Sequence, residues 1–192
     1  MTVSKDNIIT LPHASLRQRS QRVGIITDVV QQLVEDMQTA TLDWEDSRDH
    51  ELAVALAAVQ IDQLYRVVII RSNFEDKKDR TFHVFINPEI TKLEGELEED
   101  YEGCLSIRDV YGLVPRHTKV RVRALNLQGR TVNIKAEGFL ARIFQHEIDH
   151  THGKLFVDHI KDKQDGFFKL QADGKLTPLD YEKDIKNNSI LW

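Results

Sequence analysis

The stretch from Gly138 to His150 constrains this chain more than any other, because its apolar residues recur at helical spacing on more than one side. Leu140, Ile143, Phe144 and Ile148 cannot all meet one neighbour from a surface helix. The helix they form is therefore central, with sheet around it. Its last turns read His146-Glu147-Ile148-Asp149-His150. Residues four apart share a helix face, so the two imidazoles converge on one point while Glu147 leans over the open side. Metal-assisted hydrolysis uses this arrangement. Buried imidazoles and carboxylates need partners, and a shared metal with its water provides them. The alternative, a surface helix carrying two unrelated histidines, conflicts with the apolar residues that precede His146.

A catalytic site of this kind needs a third protein ligand and an open position. Cys104 is the single cysteine, so it cannot form an internal disulfide and is an inert core thiol, a reactive thiol or a ligand. Thiolate with two imidazoles is a recognised catalytic set. Its 42-residue separation from His146 does not by itself fix a geometry. His152, His159 and the carboxylates from Glu98 to Asp100 compete for the role. Glu137, before the helix, and His152, just beyond it, are less well directed.

The rest of the chain reads as alternating helix and strand. Residues 8 to 23 suggest an irregular arm with a short helical turn. Ile26, Val29, Val30, Leu33, Val34, Met37 and Ala40 form one stripe of an amphipathic helix, and residues 43 to 51 read as a charged loop. Tyr65 to Arg71 and Phe82 to Asn87 are strand-like, separated by a polar turn from Ser72 to Arg80. Pro88 interrupts the second run, and Ile90 to Glu96 can resume as another strand. Val120 to Ala124 and Thr131 to Ala136 form a hairpin about Asn126 to Gly129. A single catalytic domain over residues 1–192 is the expectation. Residues 161–192 form a tail packed on it or partly extended, with turn signals at Asp173-Gly174 and Pro178 and no visible chemistry.

The 26 basic and 31 acidic side chains give a formal charge of -5 and are interspersed, so no field gathers nucleic acid. Apolar runs such as Val67 to Ile70 are too short for a bilayer. The N-terminus carries Lys5 and Asp6 with no apolar signal core behind them, which predicts a cytoplasmic protein.

With Cys104 added, a family resemblance becomes specific. Glu102-Gly103-Cys104-Leu105-Ser106 followed by Gln145-His146-Glu147-Ile148-Asp149-His150 resembles two motifs of the peptide deformylase family. Tyr111 to Arg116, Glu137 to Arg142 and Gly153 to Asp158 are similar as well. The likeness covers roughly residues 8 to 165 and in detail is closest to the form common in Gram-positive bacteria. It implies an α+β fold with mixed or antiparallel sheets around the metal helix. It also implies removal of the N-formyl group from N-formylmethionyl nascent polypeptides, with possible transient ribosome association and a monomeric state. One divalent metal would be held by Cys104, His146 and His150: iron(II) natively, with zinc(II), nickel(II) or cobalt(II) able to occupy the site.

The resemblance also carries residue roles. Glu147 would be the acid/base, and the Gln60 amide and Leu105 backbone N–H would stabilise the developing oxyanion. Gly103 would let the loop turn tightly beside Cys104. Val54, Ala55, Phe139 and Ile143 would line the methionine pocket, although core packing explains each equally well. Arg116 would meet a peptide carbonyl or sit on the surface. Asp149 and Gln145 would orient an imidazole, or serve only the helix.

One departure stands out. The family's first motif, which pairs with the bound peptide backbone, has glycines where this chain has Ala53 and Ala55. Methyls there could narrow the groove, or be harmless if the backbone angles are ordinary. The competing readings are a deformylase-like protein of shifted or reduced activity, a zincin-like metallopeptidase using another third ligand, and a metal-stabilised structural protein.

Overall fold

The computed structural model describes residues 3–48 and 51–192. Helix α1 spans Asp28–Asp46. Val30, Leu33, Val34, Met37 and Ala40 keep the expected spacing and bury against Leu56, Val67, Ile69 and Ile86. Val29, expected in that stripe, points to solvent at 71% exposure. The helix also outruns its expected end: residues 43–46, read as part of a charged loop, are its last turn. Glu45 turns inward to Arg71, and Trp44 packs on the same core. Asp49 and His50 of that segment lie outside the described residues.

The strands are β1 (Ala55–Ala57), β2 (Val67–Arg71), β3 (Phe82–Cys104), β4 (Ile107–Leu125) and β5 (Thr131–Glu137). Helices α2 (Gly138–Thr151) and α3 (Phe156–His159) follow, then β6 (Phe167–Leu170) and β7 (Leu176–Pro178). All ladders are antiparallel, in the order β1-β2-β3-β4-β6-β7, with β5 beside β4. Strand β4 changes partner along its length. Val110 to Gly112 pair with β6 and Lys119 to Leu125 with β5, while β3 follows it throughout. The fold is therefore α+β, as expected, and its sheet is antiparallel.

Strand β3 is continuous where two strands were expected. Pro88 falls at a register shift between Ile86 and Glu89, next to Asn87 at φ 52°. Proline gives no N–H to a ladder, and a bulge is where a strand can carry one. Beside Pro88, the Asn87 side chain ties the strand to the arm before α1, accepting from Val23 N and donating to Val23 O at 2.8 Å each.

Helix α2 is central. Ala141, Ile143, Phe144 and Ile148 bury against Val68 and Ile70 of β2 and Val120 and Val122 of β4. Beyond it, Phe167, Ile185 and Leu191 of the tail close over Leu155, Phe156 and Ile160. The expected turn between β6 and β7 is present, with Gly174 at φ 80°. Among the described residues no helix is long and apolar enough to cross a membrane.

Candidate metal centre and active site

Cys104 ends β3 and pairs with Ile107, so Leu105 and Ser106 form the turn into β4. The need for glycine at position 103 is a close approach. A Cβ there would stand 2.6 Å from the Tyr111 ring, which crosses the strand beside the cysteine. Helix α2 brings His146 and His150 to the same place. The Cys104, His146 and His150 ligand atoms all lie within 4.8 Å of one another, and Cys104 Sγ is 3.3 Å from His150 Nε2. None of the competing residues joins them. Glu98 to Asp100 are exposed, Glu137 pairs with Lys119, His152 faces the Ile148 carbonyl, and His159 faces Asp149.

The donor set suits one divalent metal ion: a soft thiolate, two imidazoles and one side open to a cavity. Protonation fits as well. Burial opposes charge on His146, but its hydrogen bonds with Cys104 and Glu102 outweigh burial and hold its pKa well above the usual range. His150, fully buried, is held well below that range by burial and by the nearby His146. A metal takes such ligands in their deprotonated forms, so binding at this cluster is coupled to proton release.

Glu102 supplies the orienting contact. Its Oε2 lies 2.9 Å from His146 Nδ1, which turns the other ring nitrogen toward Cys104. Two arginines hold the carboxylate: Arg116 donates to both oxygens at 2.9 and 3.1 Å, and Arg142 to one at 2.8 Å. Burial pushes the Glu102 carboxyl up, yet His146 and Arg116 prevail and keep it far below the carboxylate range. Arg116 is neither on the surface nor free for a peptide carbonyl. It is 5% exposed, and it also donates to Asp149 at 2.5 Å. Asp149 and Gln145 orient no metal-site imidazole. Asp149 bonds Arg116 and His159, while Gln145 accepts from His117 N and donates to His117 O. These roles of Glu102 and Arg142 were not legible from the sequence alone. A hint lay in Arg142, an i,i+4 neighbour of His146 within the otherwise apolar first two turns of the helix.

Two polar groups face this centre. Gln60 Nε2 lies 3.5 Å from Cys104 Sγ and 3.2 Å from Ser106 Oγ, while its Oε1 accepts from Ala57 N at 2.9 Å. That bond fixes which face of the amide points inward. Glu147 is 5% exposed, and its Oε2 has no hydrogen-bond partner among the described residues. Burial pushes its carboxyl up to about 7.

Both groups line a cavity of about 220 Å³ with Cys104, Leu105 and His146. Val54, Ala55, Phe139 and Ile143 line the same cavity. Phe139 stands at its mouth, 46% exposed, edge-on to Phe74 at 5.3 Å. Ala53 does not line it, and neither Ala53 nor Ala55 has a positive φ. The backbone angles that would demand glycine are absent at both positions.

The sequence model of the polypeptide deformylase family matches residues 5–166. The chain belongs to this family. It is 40% identical over 154 residues to peptide deformylase 1 of Pseudomonas syringae, covering 80% of this chain and 86% of that one. It is also 40% identical over 143 residues to peptide deformylase 2 of Clostridium acetobutylicum, covering 74% and 87%. Equal identity to a Gram-negative and a Gram-positive relative gives no closer tie to the Gram-positive form. Among solved structures, the class I type b peptide deformylase of Acinetobacter baumannii with Met-Ala-Ser bound superposes at a TM-score of 0.72 and 32% identity. That match covers 83% of this chain and all of the other. Family membership and the Cys-His-His cluster make the chain a metal-dependent hydrolase.

Proposed function

We propose that the protein hydrolyses the formyl group from N-formylmethionyl peptides, with Cys104, His146 and His150 holding the metal. The observation that carries this reading is Glu147: a buried carboxylate oxygen without a hydrogen-bond partner among the described residues, beside the ligand cluster, at the wall of an apolar cavity. When bound, the metal supplies a Lewis acid for water and for the formyl carbonyl.

Glu147 takes a proton from the attacking water and later delivers it to the peptide nitrogen as the C–N bond breaks. Formate and a free amine result. A carboxyl poised near neutrality can do both. The Gln60 amide, locked by Ala57, and the Leu105 N–H donate to the oxygen on which charge develops. Val54, Ala55, Phe139 and Ile143 enclose the methionine side chain and exclude water. The peptide backbone adds to the free edge of β1, whose strand partner among the described residues is β2, on one side only.

The family resemblance makes iron(II) the native ion, and the soft thiolate would leave that form prone to oxidation at metal and sulfur. Formylated nascent chains in the cytoplasm are the fitting substrates. The deciding experiment is anaerobic: metal-quantified protein is given formyl-Met peptides, other N-formyl compounds and unformylated peptides. Formate release from the first alone supports the reading. Cleavage within unformylated peptides would replace it with a metallopeptidase.

A further inference from the structure

We infer that Glu45 and Arg71 are positioning residues for the substrate-binding edge of β1. The inference rests on the deformylase reading, since it concerns where the peptide of that reaction is held. The two side chains form an ion pair between the last turn of α1 and the end of β2, at 1% and 0% exposure. Burying two charges is costly, and such a pair persists when its remaining hydrogen bonds are met by groups that need them.

Here two of those groups belong to one residue. Glu45 Oε2 accepts from Ala53 N at 3.0 Å, and Arg71 Nε donates to Ala53 O at 3.3 Å. Arg71 N bonds Val54 O at 2.8 Å, the last backbone contact from β2. Ala53, fully buried, lies beyond the end of that strand, so the ion pair stands in for a strand partner on both of its polar groups. Arg71 is itself anchored, donating to Asp79 O at 2.5 Å and lying over the Phe82 ring at 5.5 Å.

The consequence falls on the next two residues. Val54 and Ala55 line the cavity, and Ala55 begins the strand whose free edge takes the peptide. Fixing Ala53 before substrate arrives removes an ordering cost from binding. It touches none of the reacting atoms. The expected signature is therefore a change in KM with kcat left alone.

Two measurements test this. In wild-type protein without peptide, the Ala53 amide exchanges with solvent as slowly as the β2 amides; fast exchange there overturns the inference without any variant. The double variant Glu45→Met/Arg71→Met removes both charges together and so strands neither. Checked for folding by circular dichroism and for stoichiometric metal, it shows KM for a formyl-Met tripeptide raised on the order of tenfold and kcat within about twofold, with faster exchange from Ala53 to Ala57.

Glu45→Gln, which keeps an acceptor for Ala53 N, raises KM less than the double variant. An equal rise in both, or an unchanged KM in the folded double variant, refutes the assignment. Wild-type turnover is read in the same assay, so a wild type inactive on formyl-Met peptides removes the deformylase reading instead.

Discussion

Glu102 Oε2 stands 2.9 Å from His146 Nδ1, and this one contact sets which ring nitrogen His146 offers to the centre it shares with Cys104. A ligand whose tautomer and rotation are fixed in advance binds metal more tightly than a free one. Glu102→Gln weakens the contact and leaves Arg116 and Arg142 facing a neutral partner. Metal affinity falls by about 10 to 100-fold, and the uncompensated buried charge costs about 3–5 kcal/mol of stability. Chelator competition and denaturant melts read the two effects. Unaltered affinity would show that Glu102 only supports the fold.

Glu147 separates metal holding from proton transfer. Glu147→Gln keeps one ion per chain and loses activity by about 10² to 10⁴-fold, the usual worth of a placed acid/base. It also removes a pH dependence from the metal-free protein. The folded-state carboxyl is pushed by burial to about 7, above its ordinary value, so its protonated form is favoured by folding. That stabilisation is full below the unfolded-state pKa and disappears as pH rises through about 7. The wild type minus Glu147→Gln difference, from metal-free melts at pH 4 and 8.5, changes on the order of 3 kcal/mol in that direction. Equal pH dependence in both proteins contradicts the assignment.

How much of this could be read beforehand depended on range. The α2 helix and its two histidines were legible because period and spacing are local signals, and the β4–β5 hairpin was legible for the same reason. The end of α1 was not. Asp43, Trp44, Glu45 and Asp46 look like a solvated run until Arg71, 26 residues away, gives Glu45 a buried partner. Strand β3 was cut in two because the register shift that admits Pro88 depends on the facing strand β4, and Asn87 beside it is held by Val23 across 64 residues. Glu102 was visible as part of a motif, but its function lies in Arg116, Arg142 and His146, which meet only after the sheet folds around α2.

Gly103 and Tyr111 form a steric pair that a double-mutant cycle can isolate. A Cβ at position 103 would lie 2.6 Å from the Tyr111 ring, which is tied down by its hydroxyl donating to Glu51 Oε1 at 3.0 Å. Gly103→Ala should therefore cost about 1–3 kcal/mol through overpacking and, by shifting Cys104, lower metal occupancy. Tyr111→Ala makes room for the methyl. The pair of substitutions together should then lose less than the sum of the two, by more than about 0.5 kcal/mol. Strict additivity in thermal melts would mean the strand moves aside freely.

The motif alanines make opposite predictions, although they stand two residues apart. The Ala53 methyl is buried outside the cavity, at a residue without positive φ, so Ala53→Gly opens no space for substrate and needs no relief of strain. It adds only backbone freedom to the unfolded chain, costing about 0.5–1 kcal/mol, with kcat/KM for formyl-Met peptides within about twofold. Ala55 lines the cavity and belongs to the edge strand, so its methyl bounds part of that space. Removing it widens that space. Ala55→Gly should shift KM among formyl peptides of differing side-chain bulk by severalfold, since one methyl group in an apolar pocket is worth about 1–3 kcal/mol. If Ala53→Gly changed peptide preference and Ala55→Gly did not, the groove would be bounded at Ala53 instead of Ala55.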